Sequence, residues 1–220
     1  MSQFFALDEI KPHSPLITEF LQEWAIAHCR SRTFFQEETI PTRPGLLYFV
    51  TKGFVRLESR LRHFQPSLSL DGQPVILAFI GADQPIDIYR SPMISFQAIA
   101  QVDQTEVFWL YWEDLDQWPT LKNNVLQALR HQQQHQRLEQ TLLCQRKTID
   151  RLWLYLEMLG RTHGNPSPEG MMIPFPLTSK QLSEVLGATQ VTVNRLLKQL
   201  MQADKIQLTQ ADRFQVRLSH

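Results

Sequence analysis

The chain has 220 residues and balances 22 Lys and Arg against 22 Asp and Glu, which excludes a generally basic nucleic-acid coat. A hydrophobic content of 43%, with 13 Phe and 5 Trp, supplies a packed core and excludes a disordered chain. Two distant cysteines, Cys29 and Cys144, exclude a disulfide framework, a zinc knuckle and an iron–sulfur cluster.

The opening stretch, MSQFFALDEIKPHSP, has no basic region followed by an apolar one. No apolar run approaches the roughly 18 residues needed to cross a bilayer, so a soluble cytoplasmic protein with no membrane partner is expected. Residues 14–29 have helical spacing, with Leu16, Ile17, Phe20, Leu21, Trp24 and Ala25 on one face. The texture then changes to short strands. LLYFV (46–50) and FVRLES (54–59) flank the turn TKG, and SLSL (67–70) and PVILAFI (74–80) flank Asp71-Gly72. SFQAIAQV and TEVFWLYW flank Asp103-Gln104 as a further hairpin. Such strands over about eighty residues imply an antiparallel roll or barrel. Glu113, Asp114 and Asp116 read as solvated charges.

From Leu121 to about Gln145 there is no Gly or Pro, which predicts one helix roughly 37 Å long at 1.5 Å per residue. Leu121, Val125, Ala128, Gln132, Gln136, Leu142 and Leu143 keep an approximate coiled-coil spacing, the expected seam of a homodimer. A second helix spans 148–162, and HGNPSPEG (163–170) reads as a plain loop.

From Lys147 onward nine Lys and Arg face six Asp and Glu, a mildly basic rear. Thr178 can cap a helix that Gly187 ends, and Thr189 can cap the next. Val193, Leu196, Leu197 and Leu200 then face inward, leaving Gln190, Val191, Asn194, Arg195 and Lys198 outward. IQLTQADRFQVRL reads as two strands around Gln210-Ala211-Asp212. The C-terminal unit is therefore a winged helix-turn-helix, and a sequence-specific DNA-binding function follows. The expected divisions are 1–118, 119–146 and 147–220.

LTSKQLSEVLGATQVTVNRLLKQLMQADKIQL resembles the helix-turn-helix of the cyclic-AMP receptor protein/FNR (Crp/Fnr) family of bacterial transcription regulators. GATQVTVNRLL is most similar to the global nitrogen regulator branch of cyanobacteria, and YFVTKGFVRL (48–57) resembles a hairpin of the family's roll. The resemblance implies an α+β fold: a β-roll like the cyclic-nucleotide-binding jelly roll, a long central dimerisation helix and a winged helix-turn-helix. It implies base contacts from Gln190, Val191 and Arg195, and phosphate contacts from Thr178, Ser179, Lys180, Thr189, Thr192 and Lys198. The partners implied are double-stranded DNA, a second copy of the chain and RNA polymerase. The family often has Arg where Gln190 stands, so the target preference departs from that of its relatives. Arg195 can grip guanine O6 and N7, Gln190 can pair with adenine, and Val191 can touch a thymine methyl. A palindrome with one guanine per half-site and A/T-leaning neighbours is expected.

Cyclic-nucleotide members carry a Gly-Glu pair and an Arg-Ser pair that grips the phosphate. Here Asp87 sits near the ribose-binding position, the phosphate positions fall near Ser95 and Phe96, and Arg90-Ser91 precedes Pro92. A phosphate without a guanidinium is poorly compensated. A 2-oxoglutarate sensor is an alternative, with Gln132 and Arg137 where the nitrogen regulator has Arg and Glu, and Arg137 or Arg90 as substitute cations. Asp87, Arg90, Gln132, Gln136 and Arg137 form the candidate effector pocket. His131 and His135 have a spacing that can bind metal, but read as imidazoles in a polar seam. His28-Cys29 is a weak haem signal, and no cofactor is expected. An effector-free regulator, controlled by abundance or a protein partner, stays open. A cupin-like enzyme with a DNA-binding tail would need a cluster of His and Glu on the roll, where only His63 occurs. The chain is thus not expected to be an enzyme.

Overall fold

A computed structural model of the chain describes residues 19–62, 74–209 and 211–218. In chain order, helix α1 (Glu19–Ala27) precedes strands β1 (Ser31–Phe34), β2 (Thr39–Ile40), β3 (Leu46–Lys52), β4 (Val55–Leu61), β5 (Val75–Ile80), β6 (Pro85–Asp87), β7 (Ile94–Ala100) and β8 (Thr105–Tyr111). The strands form two four-stranded antiparallel sheets, ordered β1-β8-β3-β6 and β2-β7-β4-β5. Tyr48, Val50, Val55, Leu57, Ile86, Ala98 and Val107 fill the space between them. β-Branched and aromatic residues dominate because they pack well on a pleated surface. α1 covers the back of the first sheet, burying Leu21 and Ala25 against Leu47, Phe49, Phe108 and Leu110. Leu16 and Ile17 lie outside the described residues.

Two expected hairpins are corners instead. The Lys52-Gly53 and Asp103-Gln104 turns do reverse the chain, with φ +82° at Gly53 and +55° at Gln104. Yet β3 pairs with β8 and β6, while β4 pairs with β7 and β5, so each turn carries the chain from one sheet to the other. Period-two patterning is the same for a strand that pairs across its turn and for one that changes sheets. A side chain at Gly53 would place Cβ 2.6 Å from Thr105 Oγ1, so this corner needs glycine sterically as well as conformationally. Asp71-Gly72 and SLSL lie outside the described residues; β4 and β5, which flank them, pair with Val55 opposite Ile80.

A 3₁₀ helix (Trp112–Gln117) follows β8. Asp114 is not the solvated charge expected: it accepts from the Tyr111 backbone N–H at 2.8 Å and pairs with Arg30. Asp116 is the exposed charge expected, with Lys122 Nζ at 2.6 Å.

Helix α2 (Pro119–Leu143) is 25 residues long, with Pro in its first turn where a missing N–H costs nothing. The apolar stripe expected to be the dimer seam is largely consumed within the chain. Val125 is fully buried, packing with Leu121 and Ala128 against the roll, and Leu142 and Leu143 pack on the C-terminal core. A stripe read from sequence reveals that a face is covered, not by which body. The outward face instead carries Leu126, Arg130, Gln133, Arg137 and Gln140, also in four-three spacing.

The C-terminal unit contains α3 (Thr148–His163), β9 (Asn165–Ser167), β10 (Gly170–Met172), α4 (Ser179–Leu186), α5 (Gln190–Gln202), β11 (Ile206–Leu208) and β12 (Phe214–Val216). The expected loop at 163–170 in fact contains β9, and the wing strands join a four-stranded sheet ordered β11-β12-β10-β9. Gln210 lies outside the described residues. Leu152, Tyr155, Ile173, Phe175, Leu182, Val193 and Leu196 form the core here, joined by Ile76 and Phe79 from β5. Phe79 stacks on Phe175 with centroids 4.9 Å apart, so the roll and the C-terminal unit share apolar contact. No helix among the described residues is long and apolar enough to cross a membrane.

Candidate nucleic-acid interface and cavity

Local chemistry builds the helix-turn-helix. Thr178 Oγ1 accepts from the Gln181 N–H at 3.1 Å, and Gln181 Oε1 accepts from the Thr178 N–H at 3.0 Å, a reciprocal capping box. Gly187 ends α4 at φ +59° and ψ 40°, a left-handed cap that costs glycine little. Two residues on, Thr189 Oγ1 accepts from the Thr192 N–H at 3.2 Å and starts α5. Val193, Leu196, Leu197 and Leu200 are buried as the spacing requires.

That phase leaves Gln190, Val191, Asn194, Arg195 and Lys198 in solvent. Val191 is 79% exposed, a large apolar side chain left open to solvent among the described residues. α5 contains Arg195 and Lys198 and no acidic residue, so its outward face and N-terminal dipole are both positive. Gln190 Nε2 donates to Ser179 Oγ at 3.0 Å. Ser179, for which the resemblance implied a phosphate contact, is therefore engaged with a recognition-face side chain. Thr189 and Thr192 share a hydroxyl contact at 2.9 Å, and Lys180 stands 4.0 Å from Glu184 with most of its side chain exposed.

A cavity of about 600 Å³ lies between the roll, α2 and α3. Asp87, Gln132 and Gln136 line it, but Arg90 and Arg137 do not, which corrects that part of the expected pocket. Arg137 falls on the outward face of α2, and Arg90 is exposed beyond β6. Gln132 Nε2 donates to the Pro85 carbonyl at 2.8 Å, tying α2 to the roll. Asp87 accepts from Trp112 Nε1 at 3.3 Å. Ser95 and Phe96 lie elsewhere: Ser95 faces the Arg60 carbonyl, and Phe96 packs on Tyr89.

The cavity also holds Glu139, Tyr155 and His163, which the sequence reading missed. The available signal was the row His131, His135 and Glu139, four residues apart on one helix face. Burial pushes the Glu139 carboxyl up to about 7 and the His163 imidazole down to about 4. His135 is lowered by burial and by His131 beside it. All three shifts favour neutral groups, as low-dielectric surroundings penalise charge. Of the two guanidinium groups at the cavity wall, Arg161 donates to Glu157 Oε1 at 2.9 Å and Arg130 is exposed.

Residues 150–218 match the Crp-like helix-turn-helix domain family. The global nitrogen regulator of Synechocystis sp. is 27% identical over 190 residues, covering 82% of this chain and 79% of that one. That of Synechococcus elongatus is 35% identical over 88 residues, 40% of each chain. Among solved structures, FixK2 from Bradyrhizobium japonicum has a TM-score of 0.66 at 22% identity, covering 86% of this chain and 92% of the other. The last likeness is one of fold.

Proposed function

We propose that this chain, a Crp/Fnr-type transcription regulator with a Crp-like helix-turn-helix domain, binds a palindromic DNA site as a homodimer. α5 enters the major groove, Arg195 takes a guanine, and Gln190 and Val191 shift the neighbouring preference toward A·T pairs. Thr178, Lys180, Thr189, Thr192 and Lys198 meet phosphates. The observation that carries this reading is the exposed row on α5, free of acidic residues, above a fully buried apolar row. Equilibrium binding of the whole chain to a duplex, repeated from low to high salt, tests it. A DNA-binding regulator loses affinity linearly in log salt as counterions are released; a regulator acting only through protein contacts binds no duplex.

The dimer forms along the outward face of α2, around Leu126, which is 49% exposed. Arg130, Gln133, Arg137 and Gln140 continue that face, so the seam is polar and specifies register more than it adds stability. The cavity beside α2 holds an effector other than cyclic AMP. Supporting this, Arg90 stands outside it, and of the two guanidinium groups at its wall Arg161 is already paired with Glu157 while Arg130 lies on the exposed outward face of α2. Sedimentation of Leu126→Asp against wild type tests the seam: the variant sediments as a monomer.

A further inference from the structure

We propose that Arg56 and Gln101 of the roll are positioning residues for DNA recognition. They hold α4 at one angle to the roll through Gln181, and so set the half-site spacing that a dimer reads. This rests on the reading of the chain as a dimeric DNA-binding regulator.

A guanidinium is strongly disfavoured in a protein interior unless it is paired and fully hydrogen-bonded. Arg56, on β4, is only 4% exposed. Its Nε donates to Glu58 Oε1 at 2.7 Å, and Nη1 and Nη2 donate to the two Glu37 carboxylate oxygens at 3.0 and 2.9 Å. Nη1 also donates to Gln101 Oε1 at 2.7 Å. Because arginine only donates, the Gln101 carbonyl oxygen must face Arg56 and its amide nitrogen must face away.

Gln101, 1% exposed at the end of β7, therefore has one orientation. Its Nε2 donates to the Pro176 carbonyl at 2.7 Å and lies 3.5 Å from Gln181 Oε1. Gln181 Nε2 in turn donates to Gln101 Oε1 at 3.3 Å. Pro176 is two residues before the cap of α4, and Gln181 is the inner half of its capping box. A charged cluster in the roll is thus linked by directional bonds to the turn that carries Thr178, Ser179 and Lys180.

The apolar contact of Ile76 and Phe79 holds the two units together, but apolar burial is non-directional. The covalent route between them is three residues, 145–147, between the α2 cap and the first residue of α3. That short link leaves rotation of the helix-turn-helix open unless a second anchor fixes it. The Arg56–Gln101–Gln181 relay is that anchor. Two recognition helices reach successive major grooves only when about 34 Å apart, so a fixed angle in each copy becomes a preferred half-site spacing.

The test uses the full chain and the near-isosteric Gln101→Met, which leaves Arg56 paired with Glu37 and Glu58. Binding is measured to palindromes whose half-sites are moved one or two base pairs closer or farther apart, with thermal melting alongside. Wild type is expected to lose about tenfold per base pair from its optimum, each rotating one helix relative to the other. The variant is expected to lose less than about threefold, with half-site base preference and salt slope unchanged. A variant that keeps the wild-type spacing profile overturns the proposal, whether or not its melting temperature or overall affinity falls. Should Gln101→Met not fold, Gln101→Glu, which still accepts from Arg56 but cannot donate to the Pro176 carbonyl or to Gln181 Oε1, is read with the same two outcomes. Wild type that binds DNA without a spacing optimum also overturns the proposal; wild type that binds no DNA overturns the regulator reading beneath it.

Discussion

Gln190 donates from Nε2 to Ser179 Oγ at 3.0 Å, so the first turns of α4 and α5 are tied by one side-chain bond. The bond constrains a long amide side chain that would otherwise sample many rotamers at the DNA surface. Ser179→Ala frees it. The expected result is relaxed discrimination at the base pair Gln190 reads, by about 1 kcal/mol or roughly fivefold, with other positions unchanged. Competition binding with single-base variants of the site measures this. A loss equal for all sequences would place Ser179 on a phosphate alone.

Arg195 and Lys198 lie on the same exposed face but separate by role. Arg195→Ala is expected to cost about 1–3 kcal/mol on the preferred site and to erase preference at one base pair per half-site. Lys198→Ala is expected to weaken binding about equally across sequences and to reduce the salt slope by about one per subunit. Salt titrations on preferred and scrambled duplexes distinguish the two.

Stability carries a pH signature from the cavity. Burial raises Glu139 from 4.5 to about 7 in the folded chain. The folded state then holds a proton that the unfolded state releases, so this group's contribution falls as pH rises from 4.5 to about 7. Glu139→Gln lacks the effect. Its stability relative to wild type is expected to improve by up to about 3 kcal/mol across that window, taking ~1.4 kcal/mol per pH unit. Urea midpoints of both proteins measure the difference, in which the opposite titration of His163, pushed down to about 4, cancels.

Gly187 holds φ +59° with nothing within 4 Å of where a Cβ would stand. Gly187→Ala therefore meets no clash and costs only the left-handed backbone, about 1 kcal/mol. Chemical denaturation is expected to show that loss with half-site base preference unchanged.

The helix-turn-helix was legible because its signals are local: Thr178, Gly187, Thr189 and the spacing of Val193 to Leu200 all act within a few residues. The α2 stripe was legible as a buried face, but Val125 shows that its covering is the chain's own roll. Lys52-Gly53 was legible as a turn, while the choice of sheet on its far side depends on β8 and β7, more than forty residues away. The same distance hid Gln101, which meets Arg56 and Gln181 at separations of 45 and 80 residues. For the cavity, the family resemblance pointed to Asp87 and Gln132, but no sequence pattern could tell that Arg90 and Arg137 do not line it.

Selection of bound duplexes from a random pool, using the full-length chain, tests the central claim most directly. The account predicts enrichment of a two-fold symmetric site with one fixed guanine in each half and A·T-leaning positions beside it. Failure to enrich any sequence, or half-sites without a fixed guanine, would contradict the placement of Arg195 in the major groove.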